Sequence, residues 1–486
     1  MGTGVYDERR VKIVGTLGPA SSGKDKLRAM MLAGLDVVRI NTAHGTNDDR
    51  AKLIDDVRAV SSEIGKQVPI LLDLRGLKIR SGPLAGEKVP VARGSQLEIV
   101  AGPEPTTATR IGIDFPNLFD VIQTGSRILI SDGLIELLVE DIRGDVATGR
   151  VSRGGLLLGR QGVTLPGAPI KGGALTEVDR IDLEFGVTHG VDFIGLSFVS
   201  DASDLKLARQ VASWQGGART PALIAKIERP EALAGVREIA AVADGLMVAR
   251  GDLGVQMDAE KVPRAQKEII RVANERAVPV ITATQMLESM ITQPVATRAE
   301  TSDVANAVWD GTDAVMLSAE TAVGAYPVEA VATMGRIIRE AEIEGPVRTA
   351  ASGMPLPGAE EASLKMADAI ARGVKELSEK GPVEVLVVFT LTGASVRRVA
   401  KYRPRPQIIG VAADEDVARR LNLCWGVRAT VVPVEDDPDY LFRIAGKQII
   451  EQGLAEDGAY ALIVGSLPMT RVSGRTNMLH VRPLGT

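Results

Sequence analysis

The chain has 486 residues, 45% of them hydrophobic and 24% charged, with a formal net charge of -5 and aromatic residues at only 3%. That length exceeds one ordinary domain, and an acidic chain poor in aromatics has neither the cationic surplus nor the stacking platforms of a nucleic-acid binder. Cys424 is the single cysteine, which leaves no intramolecular disulfide and fits a reducing, cytoplasmic setting. The opening MGTGVYDERR lacks an apolar signal segment, and no run approaches the length that spans a membrane, so no membrane partner is expected.

Taken in chain order, the predicted strands are VKIVGTL from Val11, DVVRIN from Asp36, PILLDLRG from Pro69 and DFIGLSFV from Asp192. They continue with PALIAKIE from Pro221, DGLMVARGD from Asp244, VPVITATQ from Val278 and DAVMLSAE from Asp313. Helical patterns separate most of these runs, which is the alternation of βαβ units around a parallel sheet. Eight units predict an α/β fold built on a (β/α)8 TIM barrel, with an open doubly wound sheet as the alternative. Between residues 81 and 164 the text changes to short alternating strands and Gly/Pro turns, GEKVPVARGSQLEIV, GSRILISDGLIELLVED and GDVATGRVSRGG. This predicts a small all-β lid domain inserted after the third strand, with barrel segments at residues 1–80 and 165–345. RQGVTLPGAPIKGG suits a hinge, and a Gly/Pro/Ala-rich linker spans 342–361. VEVLVVFTLTG, PQIIGVAAD, ATVVPVE and AYALIVGS then predict an open C-terminal α/β domain over residues 358–486.

In such barrels chemistry gathers where the strands end. Those ends carry Arg39 and Asn41, Asp73 and Arg75, Ser197, Lys226 and Glu228, Arg250 and Asp252, Thr284 and Gln285, and Ser318 and Glu320. Lys226 and Glu228 are two apart on a strand and so share a face, and Arg250 and Asp252 repeat that spacing on the next run. Two carboxylates from adjacent strands beside fixed cations predict a Mg²⁺ and phosphate site; interstrand ion pairs closing the barrel are the alternative. GPASSGKD, from Gly18 to Asp25, has P-loop spacing, but Asp25 stands where a Ser or Thr would hold Mg²⁺, so a serine N-cap is the simpler reading. No histidine pair has metal-ligand spacing, and the GxSxG nucleophile elbow is absent.

KIVGTLGPASS, VVRINTAHG, LDLRGLKIRSG, GVTLPGA, IAKIERPEA, MVARGDLGV, VITATQMLESM and TRAETSDVANAVWDGTDAVMLSAETA, with Tyr326-Pro327, run in an order that resembles the pyruvate kinase family along nearly the whole chain. The resemblance implies transfer of the phosphoryl group of phosphoenolpyruvate to ADP, giving pyruvate and ATP, by a barrel with a β lid and a regulatory C-terminal domain, as a homotetramer. It implies that Glu228 and Asp252 hold Mg²⁺ (or Mn²⁺), that Lys226 neutralises the phosphoryl group and the enolate, and that Arg39 and Arg80 grip phosphates. Asn41 and His44 would lie near the nucleotide. The backbone amides of Gly251 and Asp252 with the Thr284 hydroxyl would receive the substrate carboxylate, and Thr284 and Ser318 would relay a proton to the enolate.

Departures from the family pattern carry their own expectations. Of the residues that bind K⁺ in many members, Asn41 and Asp73 remain, Ala43 replaces a serine and Leu74 a threonine expected to ligate through its carbonyl; Lys78 stands where K⁺-dependent members have a glutamate. An ammonium carries the same unit charge as K⁺ on a flexible stem, so Lys78 is expected to supply that charge, with K⁺ not required. Arg75 is expected to complete the phosphate-facing rim, and Lys171 replaces an aspartate at the lid hinge. Thr390, Thr392, Gly393, Ala394 and Ser395 resemble the loop that binds an effector phosphate, so a phosphorylated metabolite is an expected partner; a plain strand-to-helix turn is the alternative. Two further readings remain: a Mg²⁺-dependent lyase acting on a pyruvate enolate, distinguished by indifference to ADP, and a catalytically dead sensor or scaffold, distinguished by absence of turnover.

Overall fold

The computed structural model describes residues 9–86, 88–168, 170, 174–214, 220–343, 362–433, 435, 437–466 and 476–485. Lys171 and most of the expected 342–361 linker lie outside the described residues. The eight predicted runs form strands β1 (Lys12–Thr16), β2 (Val37–Asn41), β3 (Ile70–Asp73), β4 (Phe193–Leu196), β5 (Ala222–Ile227), β6 (Gly245–Ala249), β7 (Val280–Ala283) and β8 (Ala314–Leu317). They pair in parallel in sequence order, and β1 pairs β8 to close the barrel, with Lys12 opposite Ala314. Val14, Leu71, Phe193, Ile224, Met247, Ile281 and Met316 fill the interior as one cluster, so the barrel is a packed core rather than a pore.

One expectation about strand ends is corrected. β6 stops at Ala249, and Arg250–Gln256 is a helix, so Arg250 and Asp252 do not share a strand face as Lys226 and Glu228 do. Their side chains leave the first turn of that helix in different directions, with consequences described below.

A repeated device closes the opposite rim. Asp36, Asp192, Asp244 and Asp313 immediately precede or nearly precede the even-numbered strands, and each carboxylate accepts an amide N–H from the preceding odd strand. The donors are Ile13 (2.8 Å), Ile70 (2.8 Å), Leu223 (2.9 Å) and Val280 (3.0 Å). Strand-start amides that the parallel ladder leaves unpaired are thereby satisfied at low dielectric.

The lid is an antiparallel-rich sheet of six strands in the order 163–164, 127–130, 135–143, 146–153, 96–101 and 110–113, with a separate pair formed by 89–91 and 155–157. It has its own hydrophobic core, which takes in Ile79 and Leu165 at its two ends. The C-terminal domain holds strands β9 (Val385–Thr390), β10 (Gln407–Ala412), β11 (Val427–Val431), β12 (Tyr460–Gly465) and β13 (Met478–Pro483) in the order β11-β10-β9-β12-β13, the last antiparallel.

That domain is joined to the bottom of the barrel. Leu423 is fully buried in the barrel's interior cluster. Arg403 bonds Asp313 (3.0 Å), the Asn274 side-chain oxygen (2.9 Å) and the Gly311 carbonyl (2.8 Å), and Arg419 bonds Asp192 (2.7 Å). Cys424, between plug and clamp, has its thiol pushed up to about 12 by burial and then by the charge of Asp313. A thiol is nucleophilic as the thiolate, so Cys424 is expected to stay silent toward a disulfide reagent in the folded protein and to titrate fully in denaturant. Rapid labelling of the native chain would contradict this placement.

Candidate active site

The C-terminal ends of β2, β3, β4 and β5 converge on a buried polar group. Lys226 Nζ lies 2.9 Å from Glu228 Oε1 and 3.3 Å from Asp73 Oδ1, and it donates to Ser197 Oγ at 2.6 Å. The other Asp73 oxygen receives Arg39 through Nε (2.7 Å) and NH2 (2.6 Å), and Arg39 also donates to Thr16 Oγ at 3.0 Å. Lys226, Arg39, Asp73 and Glu228 are all buried. Burial alone disfavours every one of these charges, and the outcome depends on partners. For Lys226, burial is outweighed by Asp73 and Glu228, and its pKa is raised, which favours the charged ammonium. For Asp73, burial is outweighed by Lys226 and Arg39, and its pKa is lowered. Glu228 is different: burial lifts it, Lys226 opposes only in part, the charge of Asp252 adds to the lift, and it is pushed up to about 7.

Backbone strain concentrates at the same rim. Phe198, Thr284 and Gln285 have φ of 54°, 68° and 54°, in the left-handed region that non-glycine residues rarely occupy. Phe198 thereby presents its amide N–H to Glu228 Oε2 at 2.5 Å. Thr284 presents its hydroxyl to the Gly251 N–H at 2.8 Å, while donating to the Ala283 carbonyl at 2.6 Å.

Two cavities open beside these groups. One, of about 840 Å³, is bordered by Thr16, Arg39, Asn41, His44 and Ser318. The other, also of about 840 Å³, is bordered by Lys78 and Asp132 from the lid side and by Arg250, Gly251, Asp252 and Gln285 from the barrel. Ser318 Oγ is buried without a hydrogen-bond partner. Among the described residues no three His, Cys, Asp or Glu side chains gather at one metal site. Glu228 and Asp252 alone suit Mg²⁺, which takes one or two carboxylates with water and substrate oxygens completing its shell.

Several predicted residues are engaged differently from expectation. Arg75 is no part of a phosphate rim: it donates to the Thr42 carbonyl at 2.6 Å and to Asp182 at 3.2 Å, beside the buried Arg50–Asp182 pair at 3.0 Å. Arg250 reaches β7 rather than the Lys226 cluster. The serines before the first barrel helix do not cap it: Gly23 is its N-cap, and Ser21 Oγ instead accepts the Gly18 N–H at 3.0 Å. Asn41 Oδ1 accepts the Ala43 N–H at 3.0 Å. His44 is exposed at the cavity mouth, and Arg80 is exposed, donating to the Arg160 carbonyl at 3.1 Å. Lys78 is exposed, and among the described residues its ammonium has no ion pair. In the C-terminal domain, Thr390 Oγ accepts the Gly393 N–H at 2.9 Å, Gly393 has φ 85°, and Ser395 and Thr476 hydroxyls meet at 2.9 Å. Thr392 and Ala394 complete this turn ahead of a helix that starts without a side-chain cap. Ser197 and Thr16 went unassigned in the sequence, since a lone hydroxyl in an apolar strand announces no partner.

Comparison with known proteins gives a consistent result. Residues 8–331 match the family model of the pyruvate kinase barrel domain, and residues 368–482 match that of the pyruvate kinase alpha/beta domain. A pyruvate kinase of Geobacillus stearothermophilus is 40% identical over 477 residues, which cover 98% of this chain and 80% of the relative. One of Agrobacterium vitis is 40% identical over 484 residues, covering 99% and 100%, and one of Staphylococcus aureus is 38% identical over 481 residues, covering 98% and 81%.

Proposed function

The chain belongs to the pyruvate kinase family, and from that premise we propose that it transfers the phosphoryl group of phosphoenolpyruvate to ADP at the Lys226 cluster. The observation that carries this reading is the buried ammonium of Lys226, held by Asp73, Glu228 and Ser197 at the barrel mouth. Phosphoryl transfer needs little covalent help, so positioned charge does most of the work. Lys226 and Arg39 hold the phosphoryl oxygens and stabilise the charge that shifts to the enolate. Glu228 and Asp252 would hold Mg²⁺ or Mn²⁺, which when bound supplies a further positive charge toward substrate oxygens. The Gly251 and Asp252 amides and the Thr284 hydroxyl receive the substrate carboxylate, for which the Gly251 N–H exchanges its bond to Thr284 Oγ. Thr284 and the unpartnered Ser318 hydroxyl supply a water-mediated proton path to the enolate. The nucleotide lies along Asn41 and His44, with Arg80 brought in by the lid, whose closure excludes water and strengthens each electrostatic contact.

Lys78 takes the place of K⁺. Two facts support this: its ammonium, without an ion pair among the described residues, borders the Asp252 cavity, and Arg39 and Lys226 already place two fixed positive charges against Asp73. Activity in K⁺-free buffer is therefore expected to equal activity with K⁺, and Lys78→Glu is expected to make turnover K⁺-dependent by at least about tenfold. Undiminished K⁺-free turnover by Lys78→Glu would contradict the role.

The loop of Thr390, Thr392, Gly393, Ala394 and Ser395 binds a phosphorylated effector. Assembly is a homotetramer, supported by the edge strand β13, whose exposed Leu479 and Val481 offer an apolar surface to a second copy. Among the described residues no helix is long and apolar enough to cross a membrane; a cytoplasmic location is supported by the single cysteine. The lyase reading has no use for the lid or the His44 cavity, and ADP-dependent formation of ATP alongside pyruvate separates the two.

A further inference from the structure

We propose that Arg250 is a positioning residue that sets the Thr284 hydroxyl for the reaction; the proposal rests on the pyruvate kinase reading. Although it adjoins Gly251 and Asp252, its guanidinium turns away from the Lys226 cluster and runs under the β7 loop. NH2 donates to the Thr284 carbonyl at 2.6 Å and the Gln285 carbonyl at 3.3 Å, and Nε lies 3.3 Å and 3.2 Å from the Ala283 and Thr284 carbonyls. NH1 is anchored by Asp303 at 2.8 Å, from the helix Arg298–Trp309, and the side chain is only 9% exposed.

Of the three carbonyls that converge on this one cation, Ala283's ends β7 and the other two belong to left-handed residues. Thr284 and Gln285 are consecutive non-glycine residues with φ of 68° and 54°, and threonine, being β-branched, is poorly suited to that region. A buried guanidinium offsets both the crowding of carbonyl dipoles and the loss of regular pairing. The turn it stabilises puts Thr284 Oγ 2.8 Å from the Gly251 N–H, the peptide that follows Arg250 itself. Arg250, the β7 turn and Gly251 therefore form a closed ring, with Asp303 fixing its free end. A left-handed Thr284 without this clamp would relax toward the extended or right-handed regions, carrying its hydroxyl out of the cleft.

The test is a double-mutant cycle on the full-length enzyme, read as kcat/KM for phosphoenolpyruvate. Arg250→Met and Thr284→Ala are each expected to lower it by about a hundredfold, and the double variant by little more than either alone, because Arg250 acts through the hydroxyl. Asp303→Asn, which keeps the guanidinium, is expected to lower kcat/KM by about tenfold in the wild-type background and by nothing further beside Thr284→Ala. This second pair decides the question if Arg250→Met does not fold. A purely structural contribution would multiply, giving about ten-thousandfold for the first pair, and that result would overturn the assignment. A wild-type chain without ADP-dependent turnover would overturn the family reading and this inference together, whereas an active wild type with multiplicative losses would overturn the Arg250 assignment alone.

Discussion

Replacing Lys226 with methionine is expected to lower kcat by about a thousandfold. A unit charge about 4 Å from developing negative charge is worth roughly 4 kcal/mol at an effective dielectric near 20, which corresponds to that factor. The substitution keeps most of the side-chain volume, so the packing of β5, which carries Lys226, survives. Stability is expected to change less than for a typical severed buried pair. Asp73 keeps both of its contacts to Arg39, and Glu228, already pushed up to about 7, takes a proton once the ammonium is gone. Steady-state kinetics at saturating phosphoenolpyruvate and ADP, with a thermal melt of the same preparation, separates the two effects. A loss of kcat smaller than about tenfold would mean that Lys226 is structural.

The second large effect concerns the joint between barrel and C-terminal domain. Arg403→Met removes the one side-chain cation that bonds Asp313 among the described residues, along with bonds to Asn274 and Gly311 and the stacking of the guanidinium 4.9 Å from the Trp425 ring centre. Asp313 keeps amide donors from Val280 and Trp425, yet its charge is left buried without a counter-ion. Breaking such a pair costs about 3–5 kcal/mol. Because the Leu423 plug depends on the same joint, the C-terminal domain is expected to detach at lower urea concentration, with Cys424 becoming reactive before the barrel unfolds. An unchanged first urea transition with Cys424 still silent would contradict the clamp.

The barrel was legible because short continuous apolar runs and helical stretches of period near 3.6 are local properties, and all eight runs became strands. Where the text lost the structure, the cause was nonlocal. Arg250 and Asp252 read as a strand pair only because the sequence does not show that β6 stops at Ala249. Arg75 read as a phosphate ligand because its partner Asp182 lies on a helix more than a hundred residues away. β13 went unread because it runs buried, then three exposed, then two half-buried residues, with no alternation, and ends at Pro483 on a sheet edge, where hydrophobic patterning is weakest. The four aspartates at the barrel's lower rim stood at the starts of the predicted runs, but that each would cap a neighbouring strand follows only from closure of the sheet. The Lys226–Glu228 pair lies at the readable extreme, because two residues on one strand need no tertiary information to share a face.

The most direct test of the central claim is simultaneous measurement of pyruvate and ATP formed from phosphoenolpyruvate with Mg²⁺, with and without ADP, in K⁺-free buffer. The account predicts equimolar pyruvate and ATP that depend fully on ADP. Pyruvate released without ADP, or no turnover under any of these conditions, would contradict phosphoryl transfer at the Lys226 cluster.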